Sequence, residues 1–186
     1  MKIRTLVILA GSEACNANCP FCVSKMLPAN DIEIKEPEVN WRNFKIACGI
    51  AKDCGVIKCL ITSRGEPLLF PAQISKYLHA LNQSNFRIIE IQTNGILISK
   101  KSTIFDTFLD EWYEAGLTTM AISVVSFEPE LNRQIYLPHQ RQYIDLPALI
   151  HRLHQKGLSV RLTCTLIKGF IDNPNDLGEF IRFAKK

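Results

Sequence analysis

The stretch Glu13-Ala14-Cys15-Asn16-Ala17-Asn18-Cys19-Pro20-Phe21-Cys22-Val23-Ser24 sets three cysteines in a C-x3-C-x2-C array on a short loop. Thiolates are soft ligands that suit iron–sulfur clusters and zinc. Three of them on so short a segment can reach one centre at small closure cost. A four-iron cluster held by three protein thiolates keeps one iron open for a reactant, as a catalytic zinc keeps one position open. With seven cysteines in 186 residues, two more at fixed offsets from any one arise in roughly one such chain in a hundred. The competing reading is half of a structural zinc site, completed by Cys48, Cys54, Cys59 or Cys164; otherwise these four are small core residues.

Composition bounds the answer. The chain is 47% hydrophobic and 22% charged, enough apolar material for one domain with a real core and no need of disulfide staples. Its net charge is +4, but only Lys100-Lys101 and Lys185-Lys186 are adjacent basic pairs, so nucleic-acid binding is not indicated. The opening Met1–Ala10 reads as a strand and not as a signal peptide, because Glu13 interrupts the small-residue run before Cys15. No stretch approaches the ~18 apolar residues of a membrane span. An odd cysteine number and a thiolate array point to a reducing cytoplasm.

Outward from the cysteine loop, strand and helix patterns alternate. Ile3–Leu9 reads as a buried strand before the loop, and a polar connection from Lys25 to Asn40 follows it. Asn40 caps a helix over Trp41–Cys54, with Gly55 as its stop. Val56–Thr62 is a second strand, ending in Ser63-Arg64-Gly65-Glu66-Pro67, and Ile74, Tyr77, Leu78 and Leu81 stripe a second helix. Phe86–Gln92 is the third strand, ending in Thr93-Asn94-Gly95; the third helix carries Ile104, Phe105, Phe108, Leu109 and Trp112 on one face. Leu117–Val124 is the fourth strand, followed by a loop from Ser126 to Tyr143. A fourth helix starts at Asp145 and Pro147, Leu158–Leu166 is the fifth strand, and Asn173-Pro174 opens a fifth helix through Leu177, Phe180, Ile181 and Ala184.

Five successive strand–helix units specify parallel strands with right-handed helical crossovers: an α/β fold, a partial (β/α) barrel. Barrels place their chemistry at the carboxyl ends of the strands. The cysteine loop, Gly65-Glu66-Pro67, Thr93-Asn94-Gly95, and Ser123 with Ser126 fall there in turn. The period-2 pattern also predicts a polar interior, with Glu90 and Gln92 on one face of strand three and Arg161, Thr163 and Thr165 on one face of strand five. That lining suits a polar ligand, or else an internal Glu90–Arg161 pair.

These residues together resemble the radical S-adenosylmethionine enzymes, whose C-x3-C-x2-C loop follows the first strand of a partial or full α/β barrel. The match includes the aromatic Phe21 before the third cysteine. The resemblance implies an oxygen-sensitive [4Fe–4S] cluster on Cys15, Cys19 and Cys22, whose open iron chelates S-adenosylmethionine. One electron then releases a 5′-deoxyadenosyl radical that acts on an unknown substrate. Arg64-Gly65-Glu66-Pro67 resembles the family's Gly-Gly-Glu-Pro motif for the methionine amino group, with Arg64 in place of the first glycine. Thr93 and Asn94 resemble the Thr-Asn-Gly after the third strand, and Ser123 the serine that contacts the cofactor. Arg161 matches a basic residue directed at cofactor or substrate, and Phe21 would support the adenine through its backbone.

The likeness is to the molybdenum-cofactor GTP cyclase and peptide-modifying branches. It implies a substrate that is a small molecule or a peptide, and a reducing electron donor such as a flavodoxin or ferredoxin. It covers residues 1–186 as one core domain, with the sixth strand–helix unit missing and the domain therefore expected to be incomplete at its C-terminal side. The alternative function is a non-catalytic barrel module with a structural cysteine site, holding zinc or an electron-transfer iron–sulfur centre. A histidine-based hydrolase built on His151 and His154 is disfavoured, since the pair lacks a flanking glutamate.

Overall fold

Five parallel strands, β1 (Thr5–Leu9), β2 (Lys58–Thr62), β3 (Ile88–Thr93), β4 (Thr119–Val124) and β5 (Ser159–Cys164), lie side by side in chain order. The computed structural model describes residues 3–26, 34–99, 102–139 and 143–185. The Lys25–Asn40 connection lies partly outside the described residues. Between the strands run α1 (Trp41–Asp53), α2 (Pro71–Asn82), α3 (Thr103–Glu114), α4 (Pro129–Tyr136) and α5 (Leu146–Gln155), and α6 (Pro174–Ala184) follows β5. Local chemistry sets the helix starts. Asn40 accepts from the Asn43 amide at 3.0 Å, Asp145 from the Ala148 amide at 3.1 Å, and Asn173 from the amides of Asn175 and Asp176.

Register partners in a parallel sheet share a face. One face carries Cys59, Ile61, Ile89, Ile91, Met120 and Ile122, all at most 2% exposed beneath the helices. Trp112 is fully buried between α2 and α3, and its ring N–H donates to Ser75 Oγ at 2.9 Å, so the large ring leaves no unpaired donor in the core. The other face carries Lys58, Glu90, Gln92, Ala121, Ser123, Arg161 and Thr163, together with Val7 and Leu9, which are 52% and 60% exposed. The partial barrel and its polar inner face are as the alternation in β3 and β5 implied.

Four expectations are corrected. The first strand is not buried: at the sheet edge, only Ile8 of β1 is buried, with Val7 and Leu9 outward. The segment from Ser126 to Tyr143 contains α4, an eight-residue helix, and is not loop throughout. Pro129 opens it, and the buried Asn132 bolts it down: Oδ1 accepts from the amides of Val125 at 2.8 Å and Ser126 at 3.1 Å, while Nδ2 donates to the Ser126 carbonyl. Cys54 is an exposed cap at the end of α1, one turn past the buried Ala51, and not a core residue. The stripes of two helices are narrower than read. Ile104 is exposed at the edge of the α3 face, and in α6 only Phe180 is buried, with Leu177 and Ile181 outward and Phe183 stacked on Phe127 at 5.4 Å.

Replacing Asn132 with Ala leaves two buried backbone donors unpaired, at about 1–3 kcal/mol each. Urea unfolding should show a loss of about 3 kcal/mol with unchanged iron-free secondary structure outside α4. A loss below about 1 kcal/mol would show that water replaces the amide.

Candidate cofactor and metal centre

The chain leaves β1 through Gly11, whose left-handed φ of +69° and packing on Phe70, 2.2 Å from where a Cβ would sit, demand glycine. Its amide donates to the buried Gln73 at 2.6 Å. The cysteine loop that follows is held from two sides. On one, the end of α4 braces it: Asn18 N donates to Tyr136 O at 2.9 Å, His139 N to Asn16 O at 3.0 Å, and the Cys19 thiol to Tyr136 O at 3.7 Å. The Phe21 ring meets Tyr136 edge-on at 5.8 Å.

On the other side stands the loop after β2. Glu66 N donates to Ala14 O at 2.8 Å, and Ser63 Oγ to Ser12 O at 3.0 Å. A Cβ on Gly65 would lie 2.0 Å from Ala14 O, so only glycine permits this approach of two backbones. Arg64, which departs from the resemblance, pairs with Glu13, and Ser24 Oγ donates to the Arg64 carbonyl. The arginine therefore joins the two loops.

Glu66 is 2% exposed, and its side chain is turned inward. Its carboxylate accepts from Thr93 Oγ1 at 2.6 Å, Asn94 N at 2.9 Å and Leu68 N at 3.0 Å. Burial pushes its carboxyl up to about 7, against the pull of these three donors. Asn94 reaches back to the cysteine loop, with Nδ2 at 2.7 Å from Asn16 Oδ1 and 3.8 Å from Cys15 Sγ. Burial also raises the Cys15 thiol, with the Glu66 and Cys22 charges adding to it. The structure thus brings Cys15, Gly65, Glu66, Thr93 and Asn94 together, with Cys19, Cys22 and Phe21 on the same loop and Pro67 opening the 3-10 turn Pro67–Leu69.

Ser123 and Arg161 lie on the inner sheet face, Ser123 opposite Thr163 in register. Arg161 forks onto Glu90, Nε at 2.8 Å, and Lys58 Nζ sits 3.2 Å from the same carboxylate. Burial alone would raise Glu90; its two cations more than offset that and hold it below the usual carboxylate range. Two cations on one acid leave the inner face with one net positive charge. Lys58 was missed in the sequence, although it shares strand parity with Leu60 and Thr62 and the same period-2 count would have exposed it. The bracing by Tyr136 and His139 gave no local signal. His151 and His154 are exposed on α5, and His79 pairs with Glu111 at 3.2 Å. A cleft of about 660 Å³ between α3 and α5 is lined by acids and bases that pair with each other, Asp106 with Arg152 and Asp110 with Lys156.

The donor set fits an iron–sulfur centre. Among the described residues, no three Cys, His, Asp or Glu converge to hold a single ion. Three soft thiolates on one loop are the ligand type that an iron–sulfur centre takes. In addition, Asn16 Nδ2 is buried without a partner among the described residues, a donor awaiting an acceptor beside the cysteines.

A parallel strand–helix sheet with a cysteine array at its carboxyl rim defines a cluster-binding α/β barrel class. The family model described as the Radical SAM superfamily matches residues 10–184, and the chain belongs to that superfamily, which uses a [4Fe–4S] cluster and S-adenosylmethionine. The chain is 25% identical over 178 residues to the GTP 3',8-cyclase of Shewanella denitrificans, covering 95% of this chain and 48% of that one. It is 28% identical over 188 residues to the GTP 3',8-cyclase of Limosilactobacillus fermentum, covering 99% and 52%. It spans about half the length of these curated relatives. Among solved structures, methylornithine synthase (PylB) superposes with TM-score 0.66 at 18% identity, over 98% of this chain and 50% of that one. The structure described as native anSMEcpe with bound AdoMet gives 0.61 at 14% identity, over 98% and 50%. Both establish the fold. No helix among the described residues is long and apolar enough to cross a membrane.

Gly65→Ala should part the two loops, because the clash is with backbone and cannot be relieved by a rotamer. The expected outcome is a lower melting temperature and at least a several-fold drop in iron retained after anaerobic reconstitution; wild-type values in both would refute the close packing. Glu66 predicts a pH dependence. Its folded carboxyl near 7, against 4.5 unfolded, binds the proton more tightly in the native chain. Its contribution is therefore full below the unfolded value and is lost as pH rises through the folded one. From pH 5 to 8 the wild type should lose about 2–3 kcal/mol more than Glu66→Gln in urea unfolding. Equal losses would show that the carboxyl stays ionised throughout.

Proposed function

We propose that residues 1–186 form the cofactor-binding core of a radical S-adenosylmethionine enzyme. Cys15, Cys19 and Cys22 would hold the [4Fe–4S] cluster. The observation that carries this reading is the clamp on the cysteine loop, made by Gly65 and Glu66 on one side and the end of α4 on the other. When bound, the cluster would supply the electron for splitting S-adenosylmethionine into methionine and a 5′-deoxyadenosyl radical. The protein's task is orientation and exclusion of water.

Glu66, with both carboxylate oxygens engaged by the protein, shapes the Gly65–Pro67 loop, so the loop's backbone is what remains to receive the methionine amino group. Thr93 and Asn94 continue that cradle, the Phe21 backbone supports the adenine, and Ser123 faces the ligand from the inner sheet face. Arg161, steadied by Glu90 beside Lys58, offers positive charge to an anionic group of cofactor or substrate. A nucleotide, such as the one named in the GTP 3',8-cyclase relatives, has that charge; a small molecule or peptide with a carboxylate has it too. An electron donor of the flavodoxin or ferredoxin class and a reducing cytoplasm complete the proposal.

Anaerobic reconstitution with iron and sulfide should load about four irons per chain with a visible thiolate-to-iron band. Each of Cys15→Ser, Cys19→Ser and Cys22→Ser should lose most of that iron. Dithionite and S-adenosylmethionine should then yield 5′-deoxyadenosine. One tightly held zinc per chain, with no deoxyadenosine formed, would instead support the non-catalytic module.

A further inference from the structure

Asn94 and Asn16 form a chain of amides whose orientation the structure dictates. Ile96 N donates to Asn94 Oδ1 at 3.0 Å, which fixes the oxygen end of that side chain. Its Nδ2 must then face the cysteine loop, where it meets Asn16 Oδ1 at 2.7 Å and Cys15 Sγ at 3.8 Å, within reach for a bond to sulfur. Asn16 in turn is fixed: reversing its amide would set NH2 against NH2. The arrangement leaves Asn16 Nδ2 buried, with no acceptor among the described residues. Leaving a buried donor unpaired costs about 1–3 kcal/mol, and the bond from Asn94 uses only the oxygen end of the Asn16 amide. A sulfur-rich, negatively charged centre on the cysteines would provide the acceptor that the described residues lack.

We propose that Asn94 and Asn16 are paired amide donors to the centre on the cysteine loop, Asn94 to the Cys15 sulfur and Asn16 to an acceptor atom that the centre brings, and that together they set its reduction potential. The inference rests on the cluster reading above and deepens it by assigning these two side chains to tuning. Donors to sulfur stabilise the more negative, reduced state and so raise the potential. Both are positioning residues that act through the cluster, and Asn94 also orients Asn16.

The test is a dithionite redox titration of the anaerobically reconstituted protein, followed by visible absorbance and electron paramagnetic resonance. Wild type is compared with Asn16→Ala, Asn16→Asp and Asn94→Ala, all matched for iron content and melting temperature. The expected result is a shift to more negative potential in all three variants, largest for Asn16→Asp, which exchanges a donor for a negative charge. The double Asn16→Ala/Asn94→Ala variant should shift less than the sum of the singles, because Asn94 orients Asn16. Fully loaded variants that titrate at the wild-type potential, or above it, overturn the proposal while leaving the cluster reading intact. So does a wild-type potential combined with several-fold weaker S-adenosylmethionine binding in Asn16→Ala, which would assign the donor to the cofactor instead. Should the Asn94 variant fail to load, the two Asn16 variants decide alone. A wild type that takes up no iron overturns both readings.

Discussion

The Glu66 carboxylate is a single buried group that ties three parts of the rim together. Through Leu68 N it caps its own 3-10 turn, and through Thr93 Oγ1 and Asn94 N it holds the end of β3. Its backbone amide meanwhile grips Ala14 in the cysteine loop. A carboxylate with so little exposure is tolerated because each oxygen has a partner. The penalty for burying it is what makes the arrangement specific, since no neutral side chain of that size accepts from three donors at once. Gly65 beside it lets the two backbones touch, and the placement of Cys15 and Asn94 follows from that contact.

The sheet divides its labour between two faces. The helix-covered face is apolar in its three central strands apart from Thr93 at the rim, and its burial supplies stability beneath the polar rim. The inner face concentrates charge: Glu90 is buried and held ionised, and Lys58 and Arg161 share it. A lone ion pair there would be neutral. Adding a second cation turns the pair into a surface with one net positive charge whose geometry is already set.

The cysteine loop itself is prepared in an unusual way. Burial, with the Glu66 and Cys22 charges adding to it, raises the Cys15 thiol above its usual range. Asn94 Nδ2 points at Cys15 Sγ and also holds Asn16 through its Oδ1.

Period and spacing were enough to determine the alternating strands and helices, the helix caps at Asn40, Asp145 and Asn173, the polar inner face, and the placing of Cys15, Glu66, Asn94 and Ser123 at strand ends. These are local properties, since a parity count or a cap needs only a few neighbours in the chain. Helix α4 escaped because eight residues between two prolines carry too few apolar positions for a periodic signal, and Asn132 fastens it through contacts the sequence does not display. The tertiary structure alone decided that Arg64 pairs with Glu13, that Lys58 joins Glu90, that Glu66 turns inward, and that Asn94 crosses 78 positions of sequence to reach Asn16. Each of these is a contact between loops or strands distant in the chain, and its partner is chosen by the packing of the sheet.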